Sequence, residues 1–184
     1  MSEPIRFVLD GQEVEAESGE TIWQVARRQG ALIPHLCYAD EPGYRADGNC
    51  RVCMVEVEGE RVLAASCIRR PAAGMKVITN SERAKAARRM VMELFMADQP
   101  KREVAHDPDS CLWQWANRMD INDSRFPGRE LPEPDSSHTA MRVQLDACIH
   151  CNLCVRACRE VQVNDVIGMA YRGAGSKIVF DFDD

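Results

Sequence analysis

The chain has 184 residues, 45% of them hydrophobic, which is room for one large domain or two small ones with a packed core. Its formal net charge of −6 argues against nucleic acid as a partner. No apolar run approaches the roughly 20 residues needed to cross a bilayer, and the longest, over residues 90–97, is interrupted by Glu93.

Residues 5–17 read as a β-hairpin. Ile5, Phe7 and Leu9 alternate with outward positions, Asp10-Gly11 supplies the turn, and Val14 and Ala16 resume the alternation. A helix is expected next, with Thr21 as N-cap, Gln24 completing a capping box, Ile22, Val25 and Ala26 on one face, and Gly30 at its end. Residues 31–53 carry Pro34, Pro42, Gly43 and Gly48 with little periodicity, and a loop of that length is usually functional. A second hairpin is predicted from Val55 and Val57 through Glu58-Gly59 to Val62 and Leu63, and residues 75–79 add a short strand. Two hairpins around one helix make a small mixed sheet packed on that helix, an α+β domain.

Asn80 or Ser81 caps a helix predicted to reach Ala97, with Ala84, Ala87, Val91, Leu94 and Phe95 as its apolar stripe and Pro100 preventing continuation. Its basic residues Arg83, Lys85, Arg88 and Arg89 read as a solvated face. Residues 100–140, rich in Pro, Asp and Ser, read as a linker in which Trp113 and Trp115 anchor a short helix. The pattern tightens again from Met141, and residues 177–182 read as a strand. The expected organisation is an N-terminal domain over 1–80, a helix and irregular linker over 81–140, and a compact segment over 141–184.

The nine cysteines fall in two tight groups, with Cys111 alone between them. Met1-Ser2-Glu3-Pro4 has no basic stretch followed by an apolar one, so no secretory signal is expected and the chain is placed in the cytoplasm. In a reducing compartment clustered cysteines point to metal binding or redox chemistry rather than to disulfides.

The first group is Cys37-x12-Cys50-x2-Cys53-x13-Cys67. A two-iron cluster needs four thiolates, two per iron, because soft sulfur suits iron. A C-x2-C pair in a loop with two remote cysteines supplies them, and Gly48, two residues before Cys50, lets backbone N–H groups approach the sulfurs. Structural zinc more often pairs two C-x2-C units, whereas Cys37 and Cys67 are each solitary. Zinc and disulfides stand as the competing readings. The twelve-residue gap departs from the plant-type spacing of four. It resembles the [2Fe–2S] domain of the large iron–sulfur subunit of respiratory complex I, of NAD-reducing hydrogenases and of NAD-dependent formate dehydrogenases.

The second group, Cys148-x2-Cys151-x2-Cys154-x3-Cys158, is the bacterial ferredoxin run that binds a [4Fe–4S] cluster, with His150 between ligands as a surface residue. Arg159 stands where proline usually follows, and residues 159–184 contain no cysteine. The fourth ligand is therefore open: the segment is expected to be truncated, or Cys158 or Cys111 closes a single site.

Taken together, Pro34-His35-Leu36-Cys37, Gly48-Asn49-Cys50-Arg51-Val52-Cys53, Ala64-Ala65-Ser66-Cys67 and the stretch from Ala147 through Cys158 to Gly168 make the chain resemble the N-terminal region of the catalytic alpha subunit of a cytosolic molybdenum- or tungsten-containing NAD-dependent formate dehydrogenase. The resemblance implies a β-grasp [2Fe–2S] ferredoxin-like domain, a helical linker and a bacterial-ferredoxin-like [4Fe–4S] segment. It further implies formate oxidation at a pterin-bound metal, with clusters passing electrons to a flavin subunit that reduces NAD. The implied partners are a flavin/NAD-binding diaphorase-type subunit and the remainder of a molybdopterin-containing subunit. No catalytic centre is expected within these residues. Complex I-type relatives usually carry a further cluster in the linker, held by one His and three Cys. Here only His106 and Cys111 stand there, which favours the formate dehydrogenase resemblance over complex I.

Overall fold

A computed structural model of the chain describes residues 4–137, 139–140 and 142–180. They form two compact units, one of the described residues over 4–38 and 46–91, the other of those over 39–45 and 92–180. The expected linker over 100–140 lies within the second unit.

The first unit is a five-stranded mixed sheet with one complete helix and the start of a second, its strands in the order β2 (Gln12–Ala16), β1 (Ile5–Leu9), β5 (Lys76–Ile78), β3 (Met54–Val57), β4 (Ala64–Ala65). Strands β1 (Ile5–Leu9) and β2 (Gln12–Ala16) form the expected hairpin, with Phe7 opposite Val14. Asp10 and Gly11 both take positive φ at its tip, the backbone that a two-residue turn between twisted strands requires. Strand β5 (Lys76–Ile78) is central, running parallel to β1 and antiparallel to β3 (Met54–Val57). The partner of β3 within its hairpin is β4 (Ala64–Ala65), not Val62 and Leu63 as the alternation suggests. Val62 is solvent-exposed, and the register is set instead by the Ser66 amide and hydroxyl, both of which donate to the Cys53 carbonyl.

Helix α1 (Ile22–Arg28) opens with the capping box read from sequence: Thr21 Oγ1 accepts from the Gln24 amide while the Gln24 side chain accepts from the Thr21 amide. Its buried face, Ile22, Trp23, Val25 and Ala26, covers a core that includes Phe7, Leu9, Val14, Val55 and Val77, and Cys53 and Cys67 are members of that same core. The second cysteine pair of the first group thus sits on the wall of the hydrophobic core and not at its rim.

Helix α2 (Glu82–Ala97) starts where predicted, with the Ser81 hydroxyl accepting from the Ala84 amide. Its inward face differs from the expected stripe. Ala84, Arg88, Met92, Glu93 and Met96 are buried, whereas Leu94 is exposed. Arg88 is therefore no part of the solvated face: its Nε donates to the Met54 carbonyl at 2.7 Å, so the side chain leaves water to tie α2 to β3. Glu93 is balanced by Arg125, whose Nε reaches Glu93 Oε2 at 2.6 Å.

In the second unit, α3 (Cys111–Arg118) carries the anchoring tryptophans as expected, burying Leu112, Trp113, Trp115 and Ala116. A short α4 (Leu153–Arg156) continues into a wider turn over Ala157–Val161. Strands β6 (Ile167–Ala170) and β7 (Lys177–Phe180) pair antiparallel, so the strand expected over 177–182 is present over its first four residues and the other two lie outside the described residues.

Candidate metal centre

None of the four cysteines of the first group lies in a helix or strand; each sits in a loop or turn held by its neighbours. The N-terminal amides of α1 fix the Cys67 segment: Ile22 donates to Arg69 O at 2.8 Å and Trp23 to Ser66 O at 3.0 Å, one bond on either side of Cys67. The Ser66 bonds to the Cys53 carbonyl then hold Cys53 beside Cys67. Cys37 is placed from the same end of α1, through the Trp23 side chain. The Trp23 indole N–H donates to Ile33 O at 3.1 Å, and its ring meets Tyr38 edge-on at 4.9 Å, so the segment carrying Cys37 is clamped on both sides. Cys50 comes from the loop, where Gly48 and Arg51 both take positive φ and curl the backbone inward.

All four cysteines are buried, and all are free thiols. Their side chains adjoin in a chain, Cys50 beside Cys37, Cys37 beside Cys67, and Cys67 beside Cys53, with Cys37 and Cys53 as the accepting sulfurs. The Cys50 amide donates to Cys37 Sγ at 3.4 Å, and the Asn49 amide faces the same sulfur. The Val52 amide reaches Cys50, and the Cys67 amide and the Ser66 hydroxyl reach Cys53. The hydrogen bond from Cys50 pulls Cys37 down to about 2, and the one from Cys67 brings Cys53 to about 7; Cys50 and Cys67, as the donors, are pushed up. Two of the four sulfurs are thus stabilised as thiolates by their neighbours and by backbone N–H groups even where burial opposes charge. Among the described residues no three His, Cys, Asp or Glu side chains surround one ion-sized point; the thiols adjoin pairwise. The donor set, four soft sulfurs in linked pairs with amides aimed at them, fits a two-iron cluster.

Gly48 has the most constrained position of the loop. With φ +65, a Cβ there would lie 2.8 Å from Ile68 Cδ1 and 3.2 Å from Ile68 Cγ1 and Cγ2. Ile68 follows Cys67 directly, so the glycine permits the Cys50 loop to close against the Cys67 segment. Gly48 stands two residues before Cys50, and the amides of Asn49 and Cys50 face Cys37 Sγ.

The second group lies wholly in the second unit. His150 and Asn152 take positive φ, which winds the backbone between Cys148, Cys151 and Cys154. The His150 amide donates to Cys148 Sγ at 3.4 Å and the Val166 amide to Cys158 Sγ at 3.2 Å. Cys158 is buried, Cys148 and Cys151 are half-buried, and Cys154 is exposed. His150 is itself half-buried. Burial pushes the Cys148 thiol up, and Cys151 is close enough to add to that effect. Arg156, buried between Cys154 and Cys158, donates to the Arg45 carbonyl and lies over the Tyr44 ring, while Arg45 pairs with Glu160 at 3.1 Å. Residues 39–45, read from sequence as part of the Cys37–Cys50 loop, therefore pack on the second cysteine segment.

The two linker residues are engaged separately. His106 Nε2 lies 3.1 Å from Asp146 Oδ2, and the Cys111 thiol, at the start of α3, is hydrogen-bonded by the Trp115 side chain. No described helix is long and apolar enough to cross a membrane.

Residues 2–82 match the family of 2Fe-2S iron-sulfur cluster binding domains. Over 179 residues the chain is 34% identical to the mitochondrial NADH-ubiquinone oxidoreductase 78 kDa subunit of Candida albicans, covering 95% of this chain and 25% of that protein. It is 35% identical over 176 residues to the NADP-reducing hydrogenase subunit HndD of Solidesulfovibrio fructosivorans, covering 92% of this chain and 30% of that protein. A crystal structure of an NAD+-reducing [NiFe]-hydrogenase in the H2-reduced state superposes with a TM-score of 0.82 at 28% identity, covering 96% of this chain and 74% of that one. The chain spans between a quarter and a third of the length of these curated relatives.

Proposed function

We propose that this chain is an iron–sulfur relay serving a cytoplasmic NAD-dependent formate dehydrogenase, carrying electrons between a molybdopterin formate-oxidising centre and a flavin/NAD-binding partner subunit. Its broader part is an iron–sulfur electron-transfer domain of the kind found in NADH-quinone oxidoreductase and NAD-reducing hydrogenase subunits. The observation that carries the reading is the hydrogen-bonded chain of four buried thiols, Cys50, Cys37, Cys67 and Cys53, with backbone amides aimed at the sulfurs. When bound there, a [2Fe–2S] cluster takes up and returns one electron. The protein's own contribution is to supply the thiolates, keep water away from them by burial, and donate N–H groups that favour a charged sulfur.

We assign Cys37, Cys50, Cys53 and Cys67 as its ligands and Gly48 as the residue that lets the loop close. Cys148, Cys151, Cys154 and Cys158 are assigned to a [4Fe–4S] cluster on the strength of the C-x2-C-x2-C-x3-C spacing, with left-handed backbone at His150 and Asn152 winding the chain between the first three cysteines. The formate reading is supported by the motif resemblance and by the linker, where His106 is engaged by Asp146 and Cys111 by Trp115. A second reading, a relay subunit of an NAD-coupled hydrogenase or complex I, is favoured by the relatives and by the hydrogenase structure. A zinc-stabilised interaction module is the reading from another class.

The test uses the complex isolated from its host under anaerobic conditions. Formate should reduce the two-iron centre within the enzyme's turnover time, seen as growth of its EPR signal. Reduction by NADH or hydrogen but not by formate would reject the formate reading and leave the hydrogenase or complex I one.

A further inference from the structure

The first half of α2 brings a cation to the back of the four-thiol site. Arg88 is 3% exposed. Its Nε donates to Met54 O at 2.7 Å, Nη1 lies 3.4 Å from Asn80 Oδ1, and Nη2 is buried with no hydrogen-bond partner among the described residues. Met54 directly follows Cys53 in the chain, and both the Cys53 thiolate and the Asp10 carboxylate attract the guanidinium. Asp10 is otherwise engaged, accepting from the Thr79 amide at 2.7 Å and the Thr79 hydroxyl at 2.6 Å. Burial pushes Arg88 down from its ordinary value to about 10, which leaves it fully charged at neutral pH. A cation so placed has surrendered hydration without a close carboxylate in return, and that is hard to account for by tethering alone.

We propose that Arg88 is a positioning residue for charge, raising the reduction potential of the centre held by Cys37, Cys50, Cys53 and Cys67. Reduction adds one electron to that centre and makes the site more negative, so a fixed buried cation favours the reduced form. Because Arg88 is buried, its field passes through protein and is weakly screened by salt. The inference rests on the two-iron reading of this site.

The experiment is an EPR-monitored redox titration of the full chain matured with its clusters, using dithionite as reductant and dye mediators. In Arg88→Met the ratio of reduced to oxidised centre at a fixed ambient potential should fall about tenfold, which for a one-electron couple is 59 mV. Arg88→Lys keeps the charge without the planar fork and should stay within about threefold of the unsubstituted protein. A tether alone predicts the opposite pattern: both variants lose the Met54 bond, both lose stability, and neither moves the midpoint. Equal midpoints in Arg88→Met and Arg88→Lys, or an unmoved midpoint in Arg88→Met, would overturn the proposal. Should Arg88→Met lose its cluster, Arg88→Gln decides, since it removes the charge while keeping an N–H able to donate to the Met54 carbonyl. A lower midpoint there supports the proposal and an unchanged one overturns it. Absence of the two-iron signal from the unsubstituted chain is a different failure, that of the underlying reading, and removes the inference with it.

Discussion

Replacing Cys67 by alanine is expected to abolish the two-iron centre, taking the iron and sulfide bound at the first site to background. Cys67 is fully buried, and its thiol links the Cys37 and Cys53 sides of the site. It is also pinned more firmly than its partners, since α1 donates amides to the residue before it and to the second residue after it. A substitute donor from the neighbouring chain would have to break those bonds to reach the same point. Loss of the cluster also removes its binding free energy from folding, so the variant should melt well below the loaded protein and close to the iron-free one. Thermal melting with iron and sulfide analysis on the same samples checks both expectations. Retention of the two-iron signal in Cys67→Ala would mean that Cys67 is a core residue and not a ligand.

Gly48→Val is the second large effect. The valine would take φ near +65, where a β-branched residue is a conformational outlier, and its Cβ would meet Ile68 Cδ1 at 2.8 Å. Backbone strain of about 1–3 kcal/mol adds to overpacking of about 1–3 kcal/mol, so the expected destabilisation is roughly 2–6 kcal/mol. The two contributions separate by experiment. Ile68 is 43% exposed, so Ile68→Ala should be mild alone, yet in the Gly48→Val background it should return the packing share and leave the backbone share. Denaturant unfolding of the four proteins measures this. Full additivity of the two substitutions would show that the loop does not close against Ile68.

Much of the first unit is legible in the sequence because its signals are local. The Asp10-Gly11 turn, the Thr21 and Gln24 capping box and the alternation in Ile5, Phe7 and Leu9 each involve residues within a few positions, and each appears as read. The cysteine spacing spans thirty residues, and the fold places Cys37, Cys50, Cys53 and Cys67 side by side. What sequence misses depends on distant partners. Strand β4 falls at Ala64 and Ala65 because Ser66 bonds Cys53, a pairing that alternation in Val62 and Leu63 cannot reveal. Arg88 reads as surface on charge alone, and its inward partners, the Met54 carbonyl 34 residues earlier among them, are distant in the chain. Leu94 reads as core, yet the buried row through Ala84, Arg88, Met92 and Met96 follows an i, i+4 line that turns it to solvent. The segment over 39–45 is a loop as expected, and what it packs on is invisible in sequence for the same reason, since its partners Arg156 and Glu160 lie more than a hundred residues on.

The central claim, that the first cysteine group holds a redox-active two-iron cluster, is tested most directly by EPR of the anaerobically purified, dithionite-reduced chain with iron and acid-labile sulfide counted on the same sample. The account predicts a rhombic signal that persists at higher temperature, accompanied by a fast-relaxing signal seen only near liquid-helium temperature where the second cysteine group is also filled. Stoichiometric zinc with neither iron nor sulfide, in protein matured by an iron–sulfur-competent host, would contradict it.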